Sequence, residues 1–438
     1  MTSSTMALDL RLDSGALAYL GRALRLLRCS MLERHPSPST VDDDSAFSVH
    51  FVSSIQDIGQ QQWNACAGTD NPFVRYEFLA ALEETGCTDA QTGWRPHHAV
   101  VSAHSAEEEL TGAADSETVA VVPLYLKTHS YGEYVFDWSW ANAYQSRGLN
   151  YYPKLLTAVP FTPSVGRRLL TQRVELLPKI ADQLVDALQG EAAELGASSF
   201  HLLYPNENER AAFAATPLVE RLGNQFHWHN RNYKSFDDFL ATLTSRKRKS
   251  LRKERRAAQE AGFEFRRTEG AQISEQQWAD FSLFYHRTYL IRGQQGYLNQ
   301  GFFEQLGATM PEQLLLVEAL QEGEVVGAAL FFKNHEQLFG RYWGSSSDQP
   351  LLHFETCYYQ GQDYCIEHGL KSFDSGAQGE HKIQRGFEPT PTYSLHWLAH
   401  EGFADAVARF VEEERPHIEG YMRDAATLLP FRQQDQDS

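Results

Sequence analysis

The hydrophobic and polar positions of the chain follow two periods, and each period predicts a different kind of element. Alternation predicts strands in FSVHFV at residues 47–52 and in a strand pair at 118–129 and 131–140. Spacing of three and four predicts a helix at 73–85, which Gly86 ends. Residues 314–346 predict a three-strand meander. The fold class expected from this order is α/β (α+β), with helices flanking mixed, largely antiparallel sheets.

Two short motifs recur in the same order in the two halves of the chain. LYLKTH at 124–129 returns as LFFKNH at 330–335, and ELGASSF at 194–200 returns as EHGLKSF at 367–373. Because both copies fall in matching predicted elements, we expect an internal duplication with an extra segment around residues 140–162. The predicted division is a disordered or wrongly assigned N-terminal extension at 1–46, units at 47–225 and 226–430, and a tail at 431–438.

The overall composition excludes several classes of protein. The net charge of −18 argues against DNA as a partner, and no apolar run is long enough for a membrane span. The five cysteines are scattered without a CxxC motif, which favours a reducing compartment and a cytoplasmic protein. The histidine pairs lack a nearby third ligand, so no metal site is expected.

The stretch SFDSGAQGEHKIQRGFEP at residues 372–389 concentrates the candidate chemistry. It follows a helix pattern that ends at Gly369 and a short apolar strand. A polar, glycine-rich loop after a strand is where an α/β fold opens a site.

Acyl transfer to an amine needs a base, a donor that stabilises the oxyanion and an acid for the leaving group. His381 titrates near neutral pH, and burial would raise the pKa of a carboxylate enough for it to serve as a base. The candidate catalytic residues are therefore His381, Glu380, Glu355 and Tyr358. The candidate substrate-binding residues in the same region are Lys382, Arg385 and His353.

A predicted helix at residues 236–261 carries a dense positive charge. Eight basic residues and one acid lie between Thr244 and Arg256. A polyanionic ligand would relieve the repulsion between like charges one turn apart, whereas acidic neighbours around a solvated face would do the same. The candidate contacts for such a ligand are Arg248, Arg252 and Arg255.

Several motifs resemble a known family. FVRYEFLAALEETGC, SRKRKSLRKER, HFETCYYQ and GAQGEHKIQRGFEPTPTYSLHW are similar to those of a GNAT-like family labelled peptidoglycan biosynthesis/recognition proteins, which is related to Fem-type aminoacyl and peptidyl transferases. The resemblance implies tandem Gcn5-related N-acetyltransferase (GNAT) units and an N-acyltransferase. It also implies no tightly bound cofactor, with acyl-CoA or aminoacyl-tRNA as the donor substrate.

The GNAT resemblance also implies where a coenzyme A pyrophosphate would bind. An ordinary GNAT carries a glycine-containing motif at the start of its long helix, where backbone N–H groups hold the pyrophosphate. The second half lacks this motif, and the first half has a partial version in PSVGRRLL. Gly166, Arg167 and Arg168 are therefore the candidate cofactor-binding residues.

Three functions remain open at this point. The first is acyl or aminoacyl transfer to an amine acceptor, such as a cell-wall precursor. The second is recognition of an anionic precursor without catalysis. The third is binding of RNA, such as a charged tRNA, through the basic helix.

Overall fold

The structure is a computed structural model that describes residues 46–104, 117–346, 350–377 and 379–432. The N-terminal extension before residue 46, the turn expected at 105–116 and the tail from 433 lie outside the described residues. The described strands are β1 (Ala46–Val52), β2 (Trp94–Pro96), β3 (His98–His104), β4 (Glu117–Val122), β5 (Leu124–Lys127), β6 (Lys154–Thr157), β7 (Ser199–Leu203), β8 (Val219–His229), β9 (Phe263–Glu269), β10 (Leu314–Gln321), β11 (Glu324–Lys333), β12 (Gln337–Ser345), β13 (Ser372–Asp374) and β14 (Glu388–Leu398).

The described helices are α1 (Gln60–Ala67), α2 (Tyr76–Glu84), α3 (Trp138–Ser146), α4 (Leu177–Leu195), α5 (Glu207–Phe213), α6 (Phe236–Thr242), α7 (Ser245–Glu260), α8 (Glu275–Leu290), α9 (Gln300–Thr309), α10 (Pro350–Phe354), α11 (Gln360–His368) and α12 (Glu401–Thr427). A π-helical turn, Glu355–Tyr359, joins α10 to α11. The mixed α/β class expected from the sequence is confirmed.

Both halves contain the same parallel strand–helix–strand step. In the first half α4 connects β6 to β7, and in the second half α10 and α11 connect β12 to β13. Each long helix ends at a glycine in the left-handed region, Gly196 with φ 65° and Gly369 with φ 67°, a conformation that favours glycine. These glycines belong to the repeated motif, so the duplication is visible in the backbone.

The two units exchange strands and share one sheet. Eleven strands lie in the order β2-β5-β6-β7-β14-β8-β13-β12-β11-β10-β9, while β1, β3 and β4 form a separate sheet. Strand β8, which follows the first unit, pairs with β13 of the second, and β14 pairs with β7 of the first. The expected boundary at residue 225 therefore falls inside β8, which carries side chains of the first half into the second unit.

The hydrophobic core also joins the two halves. Phe73 and Phe78 from the α2 region contact Phe332 of β11, with ring centroids 5.0 and 5.8 Å apart. All three side chains are fully buried. Because packed aromatic rings dominate core energetics, this contact fixes the units against each other.

Two predicted elements differ from the structure. The strand expected at 131–140 is wrong, because residues 131–137 form turns and loop and Trp138 begins helix α3, whose Trp140 and Tyr144 lie one turn apart and are buried. The single basic helix expected at 236–261 is two helices, because buried Leu243 is extended between α6 and α7.

Candidate functional site

A small cavity of about 120 Å³ opens in the second unit between β11, β12 and the π-helical turn. It is lined by Ala329, Leu330, Phe331, Gly340, Arg341, Tyr342, Trp343, His353, Cys357, Tyr358 and Ser375. The π turn supplies Cys357 and Tyr358, and Ser375 directly follows β13. A π turn inside a helix redirects side chains and is frequent at functional sites.

Tyr358 and His381 form a pair that leads from the cavity to the surface. The Tyr358 hydroxyl lies 2.8 Å from Nε2 of His381, whose side chain is exposed at its other edge. The histidine sits in a 3-10 turn, Glu380–Arg385, just after Gly379 with φ 124°. A Cβ at Gly379 would lie 2.5 Å from the imidazole, so glycine is needed for this approach.

The protonation states of this pair suit proton transfer. Burial lowers the pKa of His381, and the charges of Arg385 and Lys382 lower it further, so the imidazole is neutral at pH 7. Burial also raises the pKa of Tyr358, which keeps its hydroxyl protonated. With the imidazole proton on Nδ1, Tyr358 donates to Nε2 and His381 is ready to accept a proton.

His353 completes the aromatic wall of the cavity. Its ring centroid lies 5.3 Å from that of Tyr358 and 6.1 Å from that of His381. Burial, followed by the charge of His381, lowers the pKa of His353 to about 4. The structure therefore brings His353, Tyr358 and His381 together, with His353 as a neutral wall residue that carries no charge toward an anion.

A buried ion pair lies behind Ser375. Asp374 accepts a hydrogen bond from Nη2 of Arg341 at 2.5 Å and one from the Gly376 N–H at 2.9 Å. Burial raises the pKa of Asp374, but the charge of Arg341 and then of His227 outweigh it and lower the pKa to about 2. Nε2 of His227, from the exchanged strand β8, lies 3.7 Å from the Asp374 carboxylate.

The two candidate carboxylates face away from the cavity. Glu355 accepts from Arg255 at 2.9 and 3.2 Å and from Gln360 at 2.9 Å, and it is buried. Glu380 is exposed and accepts from the Tyr421 hydroxyl of α12 at 3.0 Å. Neither carboxylate lines the cavity. The structure therefore replaces their expected role as bases with structural contacts, and it uses Arg255 in the same way.

Lys382 and Arg385 hold the loop rather than an external anion. Nζ of Lys382 donates to the carbonyl oxygens of Ser375 and Gly376 at 3.0 and 2.8 Å, and the lysine is buried. Arg385 donates to the His381 carbonyl at 2.7 Å and to Glu254 at 2.8 Å. These contacts position Ser375 and His381, and the expected substrate-binding role of both cations stays a prediction.

The basic helix α7 has one face that stays free of ion pairs. Arg252 pairs with Asp237, and Arg255 pairs with Glu355 and Asp363, whereas Arg248 makes no ion pair within the described residues. Four further cations, at spacings of three, four and three, are exposed and make no ion pair with any described residue: Arg246, Lys249, Lys253 and Arg256. We call these four residues the basic stripe. The sequence predicted the positive charge of α7. The exposed cations that make no ion pair with a described residue, however, are those of the basic stripe and not the expected Arg252 and Arg255.

The partial phosphate motif of the first unit is already occupied. Gly166, Arg167 and Arg168 precede α4 by nearly ten residues instead of opening it. The Arg168 N–H, like that of Leu169 at 2.6 Å, donates to the carboxylate of Glu209, which is fully buried. Arg168 is also buried and donates to the Ser164 carbonyl, and Arg167 donates to the carbonyls of Thr171 and Ala67. The chain's own carboxylate and carbonyls therefore take these donors, and a cofactor-binding role for Gly166, Arg167 and Arg168 stays a prediction.

Sequence reasoning missed three residues of the site: Arg341, Asp374 and His227. One available signal was a third repeat, since His227 and Trp228 return as His396 and Trp397 on the second exchanged strand. In the paired strands, His227 lies opposite Asp374 and His396 lies opposite His201. A repeated dipeptide at this position indicates which strands pair and therefore which side chains meet.

Two features are absent from the described part of the chain. No helix there is both long and apolar enough to cross a membrane. In the same residues, no group of three or more histidine, cysteine, aspartate or glutamate side chains could hold a metal ion.

The strand order defines a class: a tandem α/β protein whose two units share one sheet and each contain a parallel strand–helix–strand step. The chain belongs to the FemAB-like family, described as peptidoglycan biosynthesis/recognition, whose model matches residues 54–433. No curated protein matches the chain.

Several solved structures resemble this protein in backbone course but share little sequence with it. The C-terminal domain of a putative lysylphosphatidylglycerol synthetase from Agrobacterium fabrum is 10% identical, with a TM-score of 0.47, and the match covers 82% of this chain and 97% of that one. FemX is 11% identical with a TM-score of 0.47, covering 82% and 100%. A tandem GNAT protein from the clavulanic acid biosynthesis pathway is 10% identical with a TM-score of 0.42, covering 81% and 99%.

Proposed function

We propose that the protein transfers a small acyl or aminoacyl group from an activated donor to an amine, and that the transfer takes place in the cavity of the second unit. The observation that carries this proposal is the Tyr358–His381 pair, which connects the cavity to the surface at 2.8 Å. A neutral histidine behind a protonated tyrosine provides a path for the proton that the amine must lose.

The reaction requires one bond to form and one to break. The amine nitrogen attacks the donor carbonyl carbon, and the carbonyl π electrons move to the oxygen. As the C–N bond forms, the nitrogen gives a proton to the Tyr358 oxygen, and Tyr358 passes its own proton to His381. When the intermediate collapses, the bond to the sulfur or oxygen leaving group breaks, and that group takes up the proton that His381 accepted, which returns through Tyr358.

The donor is an acyl-CoA or an aminoacyl-tRNA, and the acceptor is an amine on an anionic cell-wall precursor. Membership in a peptidoglycan biosynthesis/recognition family supports this acceptor class. The exposed basic stripe supports a donor on a polyanionic carrier, because its charges are not neutralised by neighbouring described residues. A cytoplasmic location would give the protein access to both substrates.

The test is turnover with acetyl-CoA and with aminoacyl-tRNA, using amine-bearing muropeptides as acceptors. We expect one donor to acylate the amine at a rate that His381→Ala lowers by at least about a hundredfold, the lower limit for removing a general base. Wild-type turnover that His381→Ala and Tyr358→Phe leave unchanged would contradict the proposal.

A second candidate function is recognition of a precursor without transfer. It is favoured by the first unit, where Glu209 occupies the N–H groups that the resemblance assigned to a pyrophosphate. Isothermal titration separates the two candidates, because recognition predicts binding of a nucleotide-linked muropeptide with no binding of either donor. Saturable donor binding would exclude it.

A further inference from the structure

Two buried hydrogen-bond donors in residues that line the cavity have no partner among the residues that the structure describes. These donors are the Ser375 hydroxyl and Nε of Arg341. The Arg341 side chain is only 1% exposed, so water at the surface does not satisfy it. An unpartnered buried donor is costly, and in native structures it marks a place that a ligand or an ordered water completes.

The remaining polar atoms of this region are engaged and hold the two donors in place. Nη1 of Arg341 donates to the carbonyls of Gly340 and Asp374 at 3.1 and 3.2 Å, and Nη2 donates to the Asp374 carboxylate. Asp374 also holds the Gly376 N–H, while Lys382 holds the Ser375 and Gly376 carbonyls. The backbone around Ser375 is thus held on both sides, and Nε is the one nitrogen of the Arg341 guanidinium that bonds to no described residue.

The surroundings show which ligand chemistry fits. Two hydrogen-bond donors in residues of one cavity of about 120 Å³ match an oxygen acceptor on a small group. The other lining side chains are aromatic, aliphatic or the thiol of Cys357, apart from Tyr358 and His353. Because the Arg341 charge is balanced by Asp374, the cavity suits a carbonyl oxygen that gains negative charge only during reaction.

We propose that the Ser375 hydroxyl and Nε–H of Arg341 bind the carbonyl oxygen of the transferred group and stabilise the oxyanion that forms on it. Asp374 and His227 are positioning residues, which act through Arg341 and the Gly376 N–H. This inference rests on the proposed function. In the transfer step, the carbonyl π electrons move to the oxygen between the two donors and return when the leaving-group bond breaks.

The decisive variant is Ser375→Ala, which removes one donor and keeps the ion pair. We expect kcat to fall about a hundredfold with little change in KM, since a donor aimed at an oxyanion acts mainly in the transition state. Ser375→Thr retains the hydroxyl and should recover most of kcat. The matched control is Ser372→Ala in β13, since Ser372 lies in the strand that Ser375 directly follows and is not among the residues that line the cavity.

The outcomes separate this inference from the proposed function. If the wild type is active and Ser375→Ala keeps full kcat, the carbonyl-binding pair is wrong and the transferase proposal stands. If the wild type transfers nothing, the transferase proposal fails, and binding of acetamide, a neutral carbonyl probe, followed by isothermal titration tests the pair as an oxygen site. Acetamide binding that Ser375→Ala weakens severalfold supports that site, whereas equal binding by both proteins, or none, overturns it.

Discussion

The two units use the same position in the fold in opposite ways. His201 and Asp374 occupy matching places, since each follows the repeated phenylalanine and faces the repeated histidine of the exchanged strand. In the first unit, Nδ1 of His201 lies 2.7 Å from Nδ1 of His396, and both rings are buried. In the second unit, Asp374 and Arg341 stand beside a cavity that contains unpartnered donors.

A charged network fills the interior of the first unit beside His201. Nζ of Lys154 donates to Glu133 at 2.8 Å and to Asp137 at 2.5 Å, and the Tyr151 hydroxyl donates to Asp137 at 2.7 Å. All four side chains are buried. The first unit thus fills this position with a buried side-chain network, in which Oε1 of Glu133 and Oδ1 of Asp137 still make no hydrogen bond to a described residue, whereas the second unit has two unpartnered donors in residues that line a cavity.

The short helices after β7 and β13 repeat this contrast. Glu209 in α5 and Lys382 in the 3-10 turn hold matching positions and are both buried. Glu209 binds the N–H groups of Arg168 and Leu169, whereas Lys382 binds two carbonyls of the loop beside the cavity. The Glu209 contacts occupy backbone N–H groups that could otherwise bind an anion. The Lys382 contacts hold the loop that borders the open cavity of the second unit.

The largest expected effect is on activity in the second unit. His381→Ala should lower kcat by about 10² to 10⁴, because it removes the proton acceptor behind Tyr358. Glu380→Gln is the control, since Glu380 contacts only Tyr421 of α12. Steady-state turnover measures both variants, and equal losses would show that the carboxylate belongs to the site.

The next effect is on the stability of the first unit. Lys154→Met should lower the free energy of unfolding by about 3–5 kcal/mol, because it leaves Glu133 and Asp137 as buried charges without their shared partner. Denaturant unfolding measures this loss. The kcat of the folded fraction should stay unchanged, and a matching loss of kcat would place chemistry in the first unit too.

The value of kcat/KM should fall at acid pH. Only the neutral imidazole of His381 accepts a proton, and burial lowers its pKa below the ordinary 6.5. Activity should therefore persist as the pH falls to 6.5 and be lost only as it falls through the lowered pKa. The rate profile of the free enzyme checks this, and a midpoint above 6.5 would be inconsistent with His381 as the base.

The smallest effect concerns the basic stripe. Replacing Arg246, Lys249, Lys253 and Arg256 by glutamine should weaken binding of tRNA and flatten its dependence on salt, because fewer counterions are released. Arg252→Gln is the control for a paired cation. Filter binding at several salt concentrations measures how steeply the affinity falls with salt. An unchanged slope would show that the basic stripe does not contact the tRNA.

The sequence was informative where a local signal was present. The repeated glycine, phenylalanine and strand motifs predicted the duplicated plan, and the polar loop located His381, with Tyr358 one turn inside the preceding helix. By contrast, composition could not show that Glu355 and Arg385 are held by Arg255 and Glu254, since those contacts join segments about 100 residues or more apart. The role of Arg341 depends in the same way on the pairing of β12 with β13.

The exchange of strands could not be predicted from the sequence for a similar reason. A boundary drawn at residue 225 assumes that each unit keeps its own last strand. The structure shows that β8 crosses this boundary and pairs with β13, which brings Nε2 of His227 to 3.7 Å from the Asp374 carboxylate. The His-Trp dipeptide that recurs at residues 227 and 396 is the sequence feature that relates the two exchanged strands.

The most direct test of the contrast between the units is the position of a bound acyl group. A crystal of the wild-type protein grown with a non-reactive analogue of the donor that supports turnover should show density for the acyl group. We predict that the carbonyl oxygen of this acyl group lies within hydrogen-bond distance of the Ser375 hydroxyl and Nε of Arg341, and that the acyl group faces Tyr358. An acyl group bound instead among Lys154, Asp137 and His201 of the first unit would contradict it.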